Sequence, residues 1–120
     1  MKQTTEADRP SPRALAGLLG ISRRAGRLTT GFDAVSALIK GGNATLVMLA
    51  ADLSAKTVKE LRFAARGQPA TIVRLPLTKE EAGTACGLKK PVGVLATDDK
   101  GFAAAMEKHC THDTEEEPAI

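Results

Sequence analysis

The chain is poor in the residues that usually build aromatic binding surfaces and covalent crosslinks. Its 120 residues include three Phe, no Trp and no Tyr, which excludes a recognition surface built from many stacking aromatic side chains. The hydrophobic core must therefore consist mainly of Ala, Leu, Val and Ile. Two cysteines, Cys86 and Cys110, make neither a disulfide framework nor a CxxC pair. They are expected to be reduced thiols in a cytosolic protein.

Long apolar segments are missing as well. The longest uninterrupted apolar run is Leu46–Ala51, far shorter than the roughly 20 residues that span a bilayer. The N-terminal residues carry mixed charge without an apolar stretch, so they do not form a secretory signal. These absences predict a cytoplasmic protein that does not associate with membranes.

Histidine is too scarce for the common catalytic constellations. His109 and His112 lie near the C-terminus, and no P-loop or dinucleotide-binding glycine pattern occurs. Asp98 and Asp99 precede an apolar helix pattern, which is typical of a helix cap rather than of an acid–base pair. His109, Cys110 and His112 could touch one zinc ion, but no second ligand pair accompanies them. We therefore expect a protein that is not an enzyme and that has no cofactor or metal.

Positive charge is concentrated in the middle of the chain. Residues 11–110 hold 15 basic and eight acidic residues, net +7, whereas residues 111–120 hold four acidic residues and no Lys or Arg. A basic domain favours an anionic partner through counterion release and electrostatic steering. We predict a disordered N-terminal segment over 1–10, one folded domain over 11–110 and an acidic disordered tail over 111–120.

Apolar periodicity predicts alternating helices and strands. Helix patterns follow capping signals at Ser11, near Thr30, at Asp52 or Ser54, at Thr78, and at Asp98 or Asp99. Apolar runs over 44–50, 70–75 and 92–97 predict buried strands, and residues 27–29 predict a short edge strand. Strands that alternate with helices imply right-handed crossovers. The pattern predicts a three-layer α/β/α sandwich around a sheet of about four strands.

The most basic stretch lies between the first two predicted helices. SRRAGRLTTG, residues 22–31, contains three arginines and two glycines. Cations at a helix C-terminus followed by a glycine stop are ordinary capping. The free amides that open the next helix can also donate to phosphate, and Gly31 allows a partner to approach the backbone closely. A second basic loop, Lys89-Lys90, lies just before a predicted strand and could share this face.

Four motifs in this order resemble the kink-turn RNA-binding ribosomal proteins typified by archaeal L-seven-Ae and its L-thirty-e relatives. They are LLGISRRAGRLTTGFDAV, ATLVMLAADLS, EEAGTACG and VGVLATDDKGF, and the resemblance covers residues 14 to about 106. Within this superfamily the chain is most similar to the bacterial YlxQ-like branch. The resemblance implies an α/β/α sandwich around a small mixed sheet. It also implies a non-enzymatic RNA-binding module of the translation machinery. We expect the protein to be a monomer.

The resemblance further implies an RNA-facing surface. In the family this surface combines the first short strand, the start of the second helix and the loop before the last strand. The positions expected to contact RNA here are Arg24, Arg27, Thr30, Gly31, Asp33, Ala34, Ala37, Leu88, Lys89, Lys90 and Val92. Thr30 and Gly31 would present backbone amides, and the four cations would contact phosphates. Asp33 would accept from a base amino group or a 2′-hydroxyl, while Leu88 and Val92 would contact an unstacked base.

The second helix departs from the family pattern Gly-x-Asn-Glu-x-x-Lys. Gly31 is kept, whereas Asp33, Ala34 and Ala37 occupy the Asn, Glu and Lys positions. Asp33 lacks the amide donor, and the two alanines can neither accept from a base nor reach a phosphate. Since base-edge hydrogen bonds carry specificity, two hypotheses stay open. The chain binds structured RNA, ribosomal RNA included, by backbone shape and charge, or it is a protein-interaction module of the same fold with a ribosomal or other protein partner.

Overall fold

A five-stranded mixed sheet carries helices on both of its faces. The computed structural model describes residues 10–113 of the chain. The helices are α1 (Pro12–Arg24), α2 (Phe32–Lys40), α3 (Ala55–Ala64), α4 (Lys79–Ala85) and α5 (Lys100–Glu107). The strands are β1 (Thr29–Thr30), β2 (Leu46–Leu49), β3 (Thr71–Arg74), β4 (Val94–Thr97) and β5 (Thr111–His112). The strand order is β1-β4-β2-β3-β5. Strands β2 and β3 are parallel, and the other neighbouring pairs are antiparallel.

The central strand β2 divides the interior into two cores. Leu46 and Met48 point into a core closed by α1, α4 and α5, whereas Val47 and Leu49 point into a core closed by α2 and α3. All four side chains are buried, as expected for a continuous apolar strand that is covered on both faces. The predicted three-layer α/β/α sandwich is therefore confirmed.

Most helix starts are set by the capping residues that the sequence indicates. The Ser11 hydroxyl accepts a hydrogen bond from the Ala14 amide at 3.1 Å, and Pro12 occupies the first helical position. Thr78 and Glu81 form a reciprocal capping box at α4. Asp99, rather than Asp98, caps α5.

The sheet has one strand more than the sequence predicts. Thr111 and His112, which the charge pattern assigns to the acidic tail, pair antiparallel with β3 as β5. The next residue, Asp113, donates its backbone amide to the Ile72 carbonyl at 3.0 Å. Its carboxylate contacts the guanidinium of Arg62 at 2.9 Å and that of Arg74 at 3.4 Å. The folded part therefore extends to Asp113, while the predicted disordered residues 1–9 and 114–120 lie outside the described residues.

The end of α5 also differs from the sequence prediction. The apolar pattern continues the helix to Cys110, whereas the structure ends it at Glu107. His109 is buried below the helix end, and its Nδ1 accepts a hydrogen bond from the Ser11 amide at 2.9 Å. This contact joins the start of α1 to the end of α5. Burial lowers the pKa of His109, which favours the neutral imidazole that the contact requires.

The three residues considered as zinc ligands have separate partners. Cys110 Sγ donates to the Met106 carbonyl at 3.4 Å, and His112 Nε2 lies 2.6 Å from a carboxylate oxygen of Glu107. Over residues 10–113, no group of three or more His, Cys, Asp or Glu side chains is close enough to hold a metal ion. Within the same residues, no helix has the length and apolar character needed to cross a membrane.

Candidate nucleic-acid interface

A cavity of about 330 Å³ opens at one end of the sheet. The end of β1, the start of α2, the start of α3, the start of α4 and the loop before β4 meet around it. It is lined by Thr30, Gly31, Phe32, Leu53, Thr57, Lys79, Lys90, Pro91, Val92, Gly93 and Val94. We call it the rim cavity. It joins two segments that are about 60 residues apart in the sequence, SRRAGRLTTG and the loop at residues 88–92.

Gly31 makes the turn from β1 into α2. Its φ of 99° and ψ of 149° lie in a region that is essentially restricted to glycine. The Gly31 amide donates to the Val94 carbonyl at 2.9 Å, and the Gly31 carbonyl accepts from the Val35 amide at 3.0 Å. The amide is therefore used within the fold and does not face the cavity as the sequence predicts. Gly31 provides no side-chain cap, so the first amides of α2, starting at Phe32, receive no capping oxygen.

The basic loop is anchored on α4. The Leu88 amide donates to the Gly83 carbonyl, and the Val92 amide donates to the Lys79 carbonyl, each at 2.9 Å. Between these anchors the Lys90 carbonyl passes so close to α4 that a Cβ at position 83 would lie 2.0 Å from its oxygen. Gly83 thus allows the loop to lie against the helix. A glycine within a helix pattern is the sequence signal for such a contact, although the contact was not among the predictions above.

The rim cavity combines positive charge with an apolar wall. Lys79 and Lys90 line it, and no Asp or Glu of the described chain is among its lining residues. The start of α2 adds the partial positive charge of a helix N-terminus. Leu53, Val92 and Val94 supply the apolar surface. Such a site can hold an anion beside a planar apolar group. Lys79, Leu53 and Thr57 were not among the residues predicted from the sequence.

Four of the predicted contact residues lie together in the rim cavity, namely Thr30, Gly31, Lys90 and Val92. Val92 has only 5% of its surface exposed and belongs mainly to the core. Leu88 also packs against the core and does not line the cavity. Lys89 is exposed on the same loop, outside the lining.

The predicted arginines lie away from the rim cavity. The extended backbone from Arg27 to Gly31 spans about 13 Å. Its Nε lies 3.9 Å from Asp99 Oδ2 at the start of α5, and its carbonyl accepts from the Thr97 hydroxyl at 2.6 Å. Arg24 is exposed at the end of α1, where its guanidinium is next to Gly20. Neither arginine lines the cavity.

The remaining predicted residues lie on α2. Asp33 and Ala37 face a second depression of about 590 Å³ between α2 and α3, and Ala34 is exposed outside both cavities. The positions that carry Asn, Glu and Lys in the family pattern therefore do not line the rim cavity here.

A sequence model of the Ribosomal protein L7Ae/L30e/S12e/Gadd45 family matches residues 13–107, most of the described chain. The chain belongs to this family. Its rim cavity is thus found on an L7Ae-family fold. A solved Bacillus halodurans protein of unknown function is 28% identical, with a TM-score of 0.67 over 78% of this chain and 92% of its own. The Giardia lamblia 15.5kD RNA binding protein has the same fold, with 21% identity and a TM-score of 0.67 over 78% of this chain and 82% of its own.

Proposed function

We propose that this L7Ae-family protein binds structured RNA through the rim cavity and catalyses no reaction. The observation that carries the proposal is the convergence of Gly31, the start of α2 and Lys90 around one cavity without an acidic lining residue. Membership of a family of ribosomal proteins supports an RNA partner, as does the RNA-binding description of the Giardia relative with the same fold.

Each part of the cavity has a defined role in this proposal. Lys79 and Lys90 neutralise phosphates, which supplies affinity and salt dependence. The Thr30 hydroxyl and the first amides of α2 fix the position of the RNA backbone. Val92 and Leu53 contact the face of an unstacked base. Arg24, Arg27 and Lys89 lie farther away, so they contact phosphates only of an RNA that extends beyond the cavity.

Recognition by shape and charge follows from the residues of α2. Asp33, Ala34 and Ala37 remove the amide, carboxylate and ammonium groups of the family pattern. Few base-edge contacts are then available, and the protein reads RNA geometry more than base identity. We place the chain in the YlxQ-like branch with a ribosomal or translation-associated RNA as its partner.

The test is a binding titration with a kink-turn RNA and with a straight duplex of equal length, at several salt concentrations. Lys90→Ala should weaken binding to the kink-turn RNA. It should also reduce the slope of log K against log salt concentration by about one. Lys108→Ala removes an exposed lysine that does not line the cavity and serves as the matched control.

Equal weakening by Lys90→Ala and Lys108→Ala would indicate that only net charge matters and would refute the assignment to the rim cavity. If, at low salt, the protein binds the kink-turn RNA no more tightly than it binds any other polyanion, RNA binding itself is refuted. The protein-interaction module would then be the better interpretation.

A further inference from the structure

Phe63 is an aromatic side chain exposed on the outer face of α3. Its exposed fraction is 72%, the highest among the large hydrophobic residues of the described chain. The Arg66 guanidinium lies 5.7 Å from the centre of its ring. The ring therefore remains accessible while a cation lies beside it. Aromatic rings with neighbouring arginines are typical stacking platforms for unpaired bases.

Phe63 borders the depression between α2 and α3, which we call the α2–α3 groove. Its α2 side is formed by residues 32, 33, 36, 37 and 40, and its α3 side by residues 60, 63 and 64. Phe32 lines both the α2–α3 groove and the rim cavity. From Phe32 to Lys40 the groove follows α2 for about 12 Å. It is therefore a continuous extension of the proposed RNA surface.

Ala37 forms part of the α2 wall of this groove. It occupies the position of the lysine in the family pattern, and it lines the groove from the α2 side. A lysine has four methylene groups and an ammonium group, and its side chain would lie across the space that alanine leaves. Alanine at this position therefore leaves more of the groove next to Phe63 accessible than a lysine would.

The chemistry of the groove favours a nucleotide over a protein partner. Among the lining residues, Lys40 can neutralise a phosphate, while Asp33 and Glu60 can accept from base amino groups. On α2 and α3, Phe32 and Phe63 are the only exposed large hydrophobic side chains that the structure describes. Two separate rings give little apolar area for a protein interface, which buries about 800 Å² per partner. One ring is sufficient to stack one base.

We propose that the α2–α3 groove binds a single-stranded segment of RNA and that Phe63 stacks on an unpaired base of that segment. The segment leaves the rim cavity at Phe32 and follows α2 toward Lys40. This inference rests on the proposed RNA binding at the rim cavity. It adds to that surface a second site, which binds an unpaired segment of the same RNA.

The test compares a blunt kink-turn RNA with the same RNA carrying a single-stranded adenosine extension of about six nucleotides at either end. The wild-type protein should bind one of the extended RNAs at least about five-fold more tightly than the blunt RNA. Phe63→Ala should abolish this gain and leave the affinity for the blunt RNA unchanged. Phe63→Leu, which keeps apolar bulk but has no aromatic face, should also abolish it. Ile21→Ala, which truncates an exposed apolar side chain on α1, should leave the gain intact.

Ring-proton NMR gives a readout that is independent of affinity. The chain has three Phe and no Trp or Tyr, so the Phe63 signals are identified by their loss in Phe63→Leu. Stacking should shift these signals when the extended RNA is added, but not when the blunt RNA is added.

Three failures can be told apart. If the blunt RNA binds in a Lys90-dependent way and the single-stranded extension does not increase the affinity, the proposed function stands and the stacking site is overturned. If neither RNA binds, the proposed function fails and this inference fails with it. A gain that survives both Phe63 substitutions would place the extension elsewhere on the protein and also overturn the proposal.

Discussion

Replacing Gly83 with alanine tests whether the contact between α4 and the basic loop positions the rim cavity. The added Cβ would lie 2.0 Å from the Lys90 carbonyl oxygen, whereas ordinary contact begins at 3.4 Å. The loop must therefore move by about 1.4 Å, because the atom in the way belongs to the backbone and cannot rotate aside. The same loop carries the Lys90 side chain to the cavity.

The free-energy cost of Gly83→Ala can be estimated from the clash, from the hydrogen bond that anchors the loop and from the helix propensity of alanine. Overpacking of this kind costs about 1–3 kcal/mol. A shift of this size also weakens the hydrogen bond from the Leu88 amide to the Gly83 carbonyl, worth about 1 kcal/mol. The higher helix propensity of alanine offsets about 1 kcal/mol of this. We expect a net decrease of about 2 kcal/mol in the free energy of unfolding.

Urea unfolding followed by far-ultraviolet circular dichroism is the suitable assay, because the chain lacks Trp and Tyr for fluorescence. Gly17→Ala is the matched control. Gly17 lies in the middle of α1, and a Cβ there would meet no atom within 4 Å. Gly17→Ala should raise the free energy of unfolding by about 0.5–1 kcal/mol and leave RNA binding unchanged. Gly83→Ala should lower both stability and RNA affinity.

Equal stability of Gly83→Ala and Gly17→Ala would show that the added Cβ does not clash with the Lys90 carbonyl. Wild-type RNA affinity in a clearly destabilised Gly83→Ala protein would be a different result. The clash would then be real, but the position of Lys90 would not matter for binding.

Three more perturbations test contacts outside the rim cavity. Burial lowers the pKa of His109, so the unfolded chain takes up a proton at higher pH than the folded protein does. Stability should therefore fall as the pH decreases below about 6.5, and less so in His109→Asn, measured by thermal melting. Asp113→Asn should lower the free energy of unfolding by roughly 1–3 kcal/mol in urea, because the carboxylate has two arginine partners. Burial raises the pKa of the Cys110 thiol to about 12, so iodoacetamide should alkylate it slowly in the native protein and rapidly in urea, as measured by mass spectrometry.

Each of these predictions has its own contradicting result. An unchanged pH profile in His109→Asn would show that other groups cause the acid sensitivity. Wild-type stability in Asp113→Asn would mean that the contacts of the carboxylate with Arg62 and Arg74 contribute little to the fold. Equally fast alkylation of Cys110 with and without urea would show that the thiol is accessible in the native protein.

Local signals in the sequence were sufficient for most of the secondary structure. Ser11 and Thr78 start helices because their hydroxyls satisfy backbone amides within the same turn. The run over 44–50 becomes the central strand because its side chains are apolar on both faces. These features depend on neighbours a few residues away, so a pattern in the sequence is enough to predict them.

The residues that the sequence assigned to the acidic tail, but that belong to the fold, depend on partners far away in the chain. Thr111 and His112 carry no strand pattern, and they form β5 because β3 offers them an edge about 40 residues earlier in the chain. Asp113 was counted with the acidic tail, although Arg62 and Arg74 fix it against the fold. Charge composition alone cannot show which carboxylates meet an arginine.

The candidate site also has features that the sequence predicts and features that depend on packing. The sequence by itself determined the layered α/β architecture, the basic character of the folded part and the choice of Gly31 and Lys90 as candidate contact residues, because periodicity, charge and backbone freedom are local properties. Only the tertiary structure decided that Arg27 lies away from the rim cavity and that Lys79 lines it. It also decided that Ala37 and Phe63 line the same groove. These relations depend on how separate helices and loops pack together, and no spacing within one segment encodes them.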